Sequence, residues 1–140
     1  MRRRVRVGAK ARARIRAGGP TSVHRKALPR KEWVALREYV YKREGFACWW
    51  CQDWKDLPLD PHHVQKRSAG GADSKDNVLA LGRACHNHTD AAYSSRRGRL
   101  VIRALGGERF IGAVVQAPDK ATGQAREAQL LRMAEQALQG

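Results

Sequence analysis

Acid is missing from the start of this sequence. No Asp or Glu precedes Glu32, while residues 1–31 hold twelve Lys and Arg. Long apolar runs are missing too: nothing approaches the ~20 apolar residues a membrane helix needs, so no membrane partner is expected. The basic start lacks the apolar core, about 7–15 residues long, of a secretory signal. Its Arg-rich, acid-poor character also suits a mitochondrial transit peptide, but Ser is scarce and no amphipathic stripe stands out. Cysteine is sparse, at positions 48, 51 and 85 only. An odd number without a secretory signal argues against a disulfide framework, and for a reducing cytoplasm and a metal-binding role. No internal repeat is found.

The 140 residues amount to about one domain. At 42% hydrophobic and 29% charged, the composition is that of a folded chain rather than a disordered one. The net charge of +15 is concentrated in the first 31 residues, and the remainder carries only +3. A block of like charge cannot pack against itself, so residues 1–28 are expected to form a disordered basic arm. Phosphate is the natural partner of such an arm, because each neutralised phosphate releases a counterion. Arg2, Arg3, Arg4 and Arg6 are therefore candidate nucleic-acid contacts.

Beyond the arm, Trp33, Leu36 and Val40 recur at three- and four-residue spacing, which predicts a helix from about Arg30 to about Arg43, ended by Gly45. Residues 57–64 read as a strand with a proline-marked entry, 68–77 as a loop around Gly70-Gly71, and 78–81 as a second, apolar strand. A helix from Arg83 to about Arg96 follows, with Ala91-Ala92-Tyr93 inward and Gly98 as its stop. Residues 100–102 and 110–115 suit two further strands around Gly106-Gly107. Residues 119–138 read as a closing helix, docked through Leu130, Leu131, Met133, Ala134 and Leu138. The fold class is thus α+β, divided into an arm (1–28), a core (29–98) and C-terminal strands with a closing helix (99–140).

Chemistry concentrates in 25 residues. His62-His63, Asn77 and His86 fall there, three of the chain's five histidines among them. Adjacent histidines in a strand point to opposite faces, although a turn at the strand end lets both serve one site. Phosphodiester hydrolysis needs an activated water and stabilisation of charge on the leaving oxygen. An imidazole takes a proton at neutral pH, a divalent cation acts as Lewis acid, and an amide orients without competing for protons.

Asp60-Pro61-His62-His63-Val64, Gly70-Gly71, Asn77-Val78-Leu79-Ala80-Leu81 and Cys85-His86 together resemble the HNH nuclease motif, in the style of small phage and prophage HNH proteins. The resemblance spans about Trp33 to Gly98. It implies a ββα-metal (His-Me finger) core with flanking helices, and a DNA endonuclease in a bacterial cell or a phage-infected host. His63 would be the general base, and Asn77 would hold the loop and orient His63. His62 and His86 would hold a catalytic Mg²⁺ or Mn²⁺, with Asp90 one turn on to assist. Lys66 and Arg67, after the catalytic strand, would contact the DNA backbone. Cys48-x-x-Cys51 sits where many members keep half of a zinc knuckle. The second half, often Cys-x-x-Cys-His, is here Gly82-Arg83-Ala84-Cys85-His86, so one cysteine is missing. Either His88 completes a structural Zn²⁺ site with Cys48, Cys51 and Cys85, or no zinc binds and the cysteines are small buried hydrophobes. Trp49, Trp50 and Trp54 near the knuckle are open to base stacking or to packing. The rival function is a non-catalytic zinc-knuckle DNA-binding module, which would not need His63.

Overall fold

The protein is described by a computed structural model over residues 27–139. The arm residues Arg2, Arg3, Arg4 and Arg6, and the disorder expected of residues 1–26, lie outside the described residues. The order of elements is α1 (Arg30–Arg43), β1 (Leu59–His63), β2 (Val78–Gly82), α2 (Arg83–Thr89), β3 (Arg99–Gly106), β4 (Arg109–Val115) and α3 (Lys120–Gln139). The strands form two antiparallel two-stranded sheets, β1–β2 and β3–β4. No helix among the described residues is long and apolar enough to cross a membrane.

Helix α1 starts after Pro29 and carries Glu32 in its first turn and Lys42 and Arg43 in its last, the charge order that favours the helix dipole. The chain leaves it through Gly45 and Phe46, both at positive φ, with the Phe46 N–H returning to the Tyr41 carbonyl. Strand β2 is the centre of packing. Val78 and Ala80 meet Val40 of α1 on one face, while Leu79 and Leu81 meet Cys48, Cys85 and Leu100 on the other. This two-sided burial explains its uninterrupted apolar run, since each fully buried Val or Leu stabilises by roughly 1.5–3 kcal/mol. Strand β1 pairs with it from Leu59 opposite Gly82 to His63 opposite Val78. Helix α2 follows β2 without a linker, which produces a strand–strand–helix unit.

The β3–β4 hairpin and α3 share a second core of Tyr93, Val101, Ile111, Val115, Ala117 and Leu131. Its turn, Gly106-Gly107-Glu108, runs at positive φ throughout. Glu108 then ties the hairpin to α1 by accepting from Tyr39 Oη (2.7 Å) and Arg43 (3.1 Å). Arg43 also donates to the carbonyls of Lys75 and Val78, so one side chain joins α1, the loop before β2 and the hairpin.

Two expectations are corrected. Helix α2 ends at Thr89, not near Arg96. The Thr89 hydroxyl donates to the His86 carbonyl (2.7 Å), and the chain departs so that Tyr93 packs on α3. The fit is close enough that a Cβ at Gly123 would lie 2.3 Å from the Tyr93 ring. On α3, Leu131 is buried, and Leu130 and Ala134 pack beside it. Met133 and Leu138 are 54% and 60% exposed and are not part of the docking face.

Candidate active site and metal cluster

Asp60 and His62 alternate along β1 and so share a face, which α2 covers with His86. The His62 and His86 rings meet edge to face with centroids 5.3 Å apart. His86 Nδ1 lies 3.0 Å from Asp60 Oδ2, and Arg83 holds the same carboxylate through two bonds of 2.7 and 3.0 Å. Arg83 first, with His86 also contributing, keeps Asp60 below the usual carboxylate range despite its burial. An Nδ1–H donated to Asp60 leaves His86 Nε2 as a lone pair, the arrangement by which a carboxylate orients a metal-binding histidine. Burial, then the neighbouring His86, lowers the pKa of His62 to about 4, so His62 is neutral at pH 7 as a ligand must be. Its ring nitrogens make no hydrogen bond among the described residues. His62 and His86 thus form a pair of facing imidazole donors, joined by no third donor at ligand spacing among the described residues.

His63 turns to the other face of β1. Its ring stacks on Trp33 of α1, with centroids 5.6 Å apart and planes 11° from parallel. Its Nε2 lies 2.7 Å from Asp73 Oδ1. Asp73 is only 3% exposed and also accepts from Arg67 (2.8 and 3.0 Å) and from the Leu28 N–H (3.1 Å). Burial opposes its charge, but these donors outweigh it and hold the Asp73 carboxyl at about 2. The Asp73 carboxylate accordingly selects the His63 tautomer that carries hydrogen on Nε2 and a free pair on Nδ1.

Asn77 works on the backbone. Its Oδ1 accepts from the Gln65 N–H (2.8 Å), and its Nδ2 donates to the carbonyls of Gln65 and Ala72 (2.9 Å each). The amide thus closes the loop between β1 and β2, while the Val64 N–H donates to the Asn77 carbonyl. The Asn77 side chain makes no direct bond to His63; whatever orientation it imposes passes through this loop. Gly71 permits the closure, since a Cβ there would lie 1.8 Å from the Gln65 carbonyl oxygen.

Both histidine faces open on one cleft of about 350 Å³ lined by His62, His63, Lys66, Arg67, His86 and Asp90. Asp90 is an exposed side chain 3.8 Å from Lys66, at the rim. Lys66 is exposed as well, whereas the Arg67 guanidinium is committed to Asp73 and lies 5.0 Å over the Trp33 ring. A larger recess of about 510 Å³ is lined by Tyr93, Arg99, Asp119 and Lys120, among others; it holds neither His nor Cys and has no comparable chemistry.

The three cysteines converge beside α2, which contributes Cys85 to them. Their sulfurs and a carboxylate oxygen of Asp56 all lie within 4.8 Å of one another. A tetrahedral zinc with sulfur at ~2.3 Å spaces its ligand atoms about 3.8 Å apart, so the set needs only a small contraction. His88 does not join it: this buried ring bonds the Arg97 carbonyl through Nε2 (3.0 Å), and Asp56 is the fourth group. Trp49 and Trp50 pack against Gly112, and Trp49 also meets Phe110 edge-on, whereas Trp54 is exposed beneath Lys55. Asp56, Asp60 and Asp73 are the groups that sequence reasoning gave no role. Asp60 had a signal, its two-residue spacing from His62; Asp56 and Asp73 had none.

The chain is similar to a protein of Lactococcus phage SK1 named probable HNH endonuclease, with 27% identity over 75 residues, 49% of this chain and 80% of that protein. At the level of family, the similarity points to the HNH endonucleases. No family model matches the chain. No solved structure gives a significant match.

Proposed function

We propose that this chain is a metal-dependent DNA endonuclease of the HNH type, with β1, β2 and α2 as its ββα-metal core. The observation that carries the reading is the convergence of His62, His63 and His86 on one cleft rimmed by Lys66. The name of the phage relative supports it. His63 is the general base: its Nδ1 takes a proton from the attacking water. Asp73 holds the proton on Nε2 and stabilises the imidazolium that results, as a carboxylate does behind a catalytic histidine. Trp33, stacked on the ring, restricts its rotation.

His62 and His86 would hold the divalent ion, and Asp60 orients the His86 ring through its Nδ1. When bound, the ion supplies Lewis-acid stabilisation of charge on the departing oxygen. Imidazole donors favour Mn²⁺ over Mg²⁺, which prefers oxygen. Asn77 keeps the loop closed, and through it Asp73 in register with His63. Lys66 meets a DNA phosphate, and the basic arm adds sequence-independent attraction. Zinc at the cysteine cluster serves stability rather than cleavage. The similarity to a phage protein favours the cytoplasm of an infected bacterial cell as the setting.

The test is supercoiled plasmid incubated with the purified protein in Mn²⁺, in Mg²⁺ and in EDTA. Nicking in Mn²⁺, weaker in Mg²⁺ and absent in EDTA is expected. DNA retention on a gel without cleavage in any metal would replace the enzyme by a DNA-binding module.

A further inference from the structure

Three thiols make an incomplete site, because a structural zinc takes four ligands. Among the described residues the only group of three or more donors at metal-binding spacing is Cys48, Cys51, Asp56 and Cys85. Asp56 enters it through a gap in β2. At Gly82 a Cβ would lie 2.1 Å from Asp56 Cγ and 2.3 Å from Oδ2, so any side chain at position 82 would displace the carboxylate. The two oxygens of Asp56 have different neighbours. Oδ1 accepts from the Ala84 N–H (3.0 Å) at the start of α2. Oδ2 accepts from Cys51 Sγ (3.7 Å) and, at a long 3.4 Å, from the Cys85 N–H, so it faces the sulfurs.

We infer that Asp56 is the fourth ligand of a Cys₃Asp zinc site, binding through Oδ2 while Oδ1 caps helix α2. One carboxylate then joins the metal to the helix that carries His86, and the bound ion sets the position of α2 against β2. Cys85 and His86 are adjacent in sequence and serve the two clusters in turn.

The alternative is that Asp56 is a helix cap only. Asp56→Asn separates the two, since Asn caps a helix as well as Asp does but lacks the anionic oxygen. The probe is Co²⁺, and the readouts involve no DNA, so the inference stands or falls independently of the nuclease reading. Thiolate-to-cobalt absorption grows with the number of sulfurs, and a series of Cys51→Ser, wild type and Asp56→Cys is expected to step upward twice. Competition with a chelator is expected to show Asp56→Asn holding Co²⁺ at least about 10-fold more weakly, the lower range for groups that merely support a ligand. Its far-ultraviolet circular dichroism should match that of the wild type. X-ray absorption on the zinc-loaded wild-type protein needs no variant to fold. It should show three sulfur ligands and one oxygen, without imidazole scattering. An Asp56→Asn protein that binds cobalt as tightly as wild type, or imidazole in the zinc spectrum, would overturn the assignment.

Discussion

Two donor clusters flank helix α2, and they differ in how far water reaches them. Cys48 and Cys85 are buried beside Trp49 and Trp50, which pack against the β3–β4 hairpin, and only Cys51 of the three thiols is exposed. The histidine cluster faces an open cleft with exposed Lys66 and Asp90 at its edge. The donors differ in the same sense. Thiolates hold zinc tightly and close a site, whereas two imidazole ligands would leave positions for water and phosphate. Helical rotation by about 100° per residue lets Cys85 and His86 belong to opposite kinds of site. On the proposed reading, burial and donor type together would separate an ion that holds the fold from one that exchanges and reacts.

The largest effect expected on this contrast is at His63. His63→Ala should lower the cleavage rate by ~10²–10⁴-fold with DNA binding nearly unchanged, as followed by single-turnover nicking and gel shift, and cost about 1–3 kcal/mol of stability through the lost Trp33 stack and Asp73 bond. Wild-type rates would remove His63 from the reaction.

Asp73→Asn comes next. It should lower kcat by about 10²-fold with little change in KM, because the tautomer of His63 is no longer imposed. It should also cost about 1–3 kcal/mol of stability at neutral pH, since Arg67 and the Leu28 N–H lose a charged acceptor. The pH dependence has a definite sign. Asp73 titrates at about 2 in the fold, below its ordinary value of 3.8. Its contribution is therefore complete above about pH 4 and is lost as the pH falls toward 2. Denaturant melts across that window should show wild type losing more stability than Asp73→Asn; parallel curves would mean that the pair contributes nothing.

The smallest effect concerns the DNA backbone. Lys66→Ala, and separately deletion of residues 1–22, should weaken DNA binding and reduce the slope of log K against log salt by about 0.9 for each phosphate no longer neutralised. An unchanged slope after the deletion would make the arm idle. Arg67→Ala should act differently, through Asp73 and His63, and so lower the rate more than the salt slope.

How much of this was legible in the sequence follows from range. Helix α1 and the apolar run of β2 show in local periodicity, because burial on one or two faces repeats with the geometry of the element. The extent of α2 does not, since its end is decided by Tyr93 docking on Gly123, thirty residues away. The histidines stood out as residue types at a telling spacing. The carboxylates that orient or join the two clusters did not. Asp73 reaches His63 across a loop that Asn77 and Gly71 fold back, and Asp56 reaches the thiols only because Gly82 leaves room. His88 was a reasonable fourth donor by spacing, yet the short helix turns it toward the Arg97 carbonyl.

The most direct measurement of the contrast is a pair of variants assayed side by side for cleavage in Mn²⁺, bound zinc and melting temperature. His86→Ala should lose cutting while keeping its zinc and its melting point. Cys48→Ser should lose zinc and at least about 2 kcal/mol of stability, and the fraction that remains folded should still cut. A His86→Ala protein that cuts at the wild-type rate, or a zinc-free Cys48→Ser protein that melts like wild type, would contradict the division of labour between the two clusters.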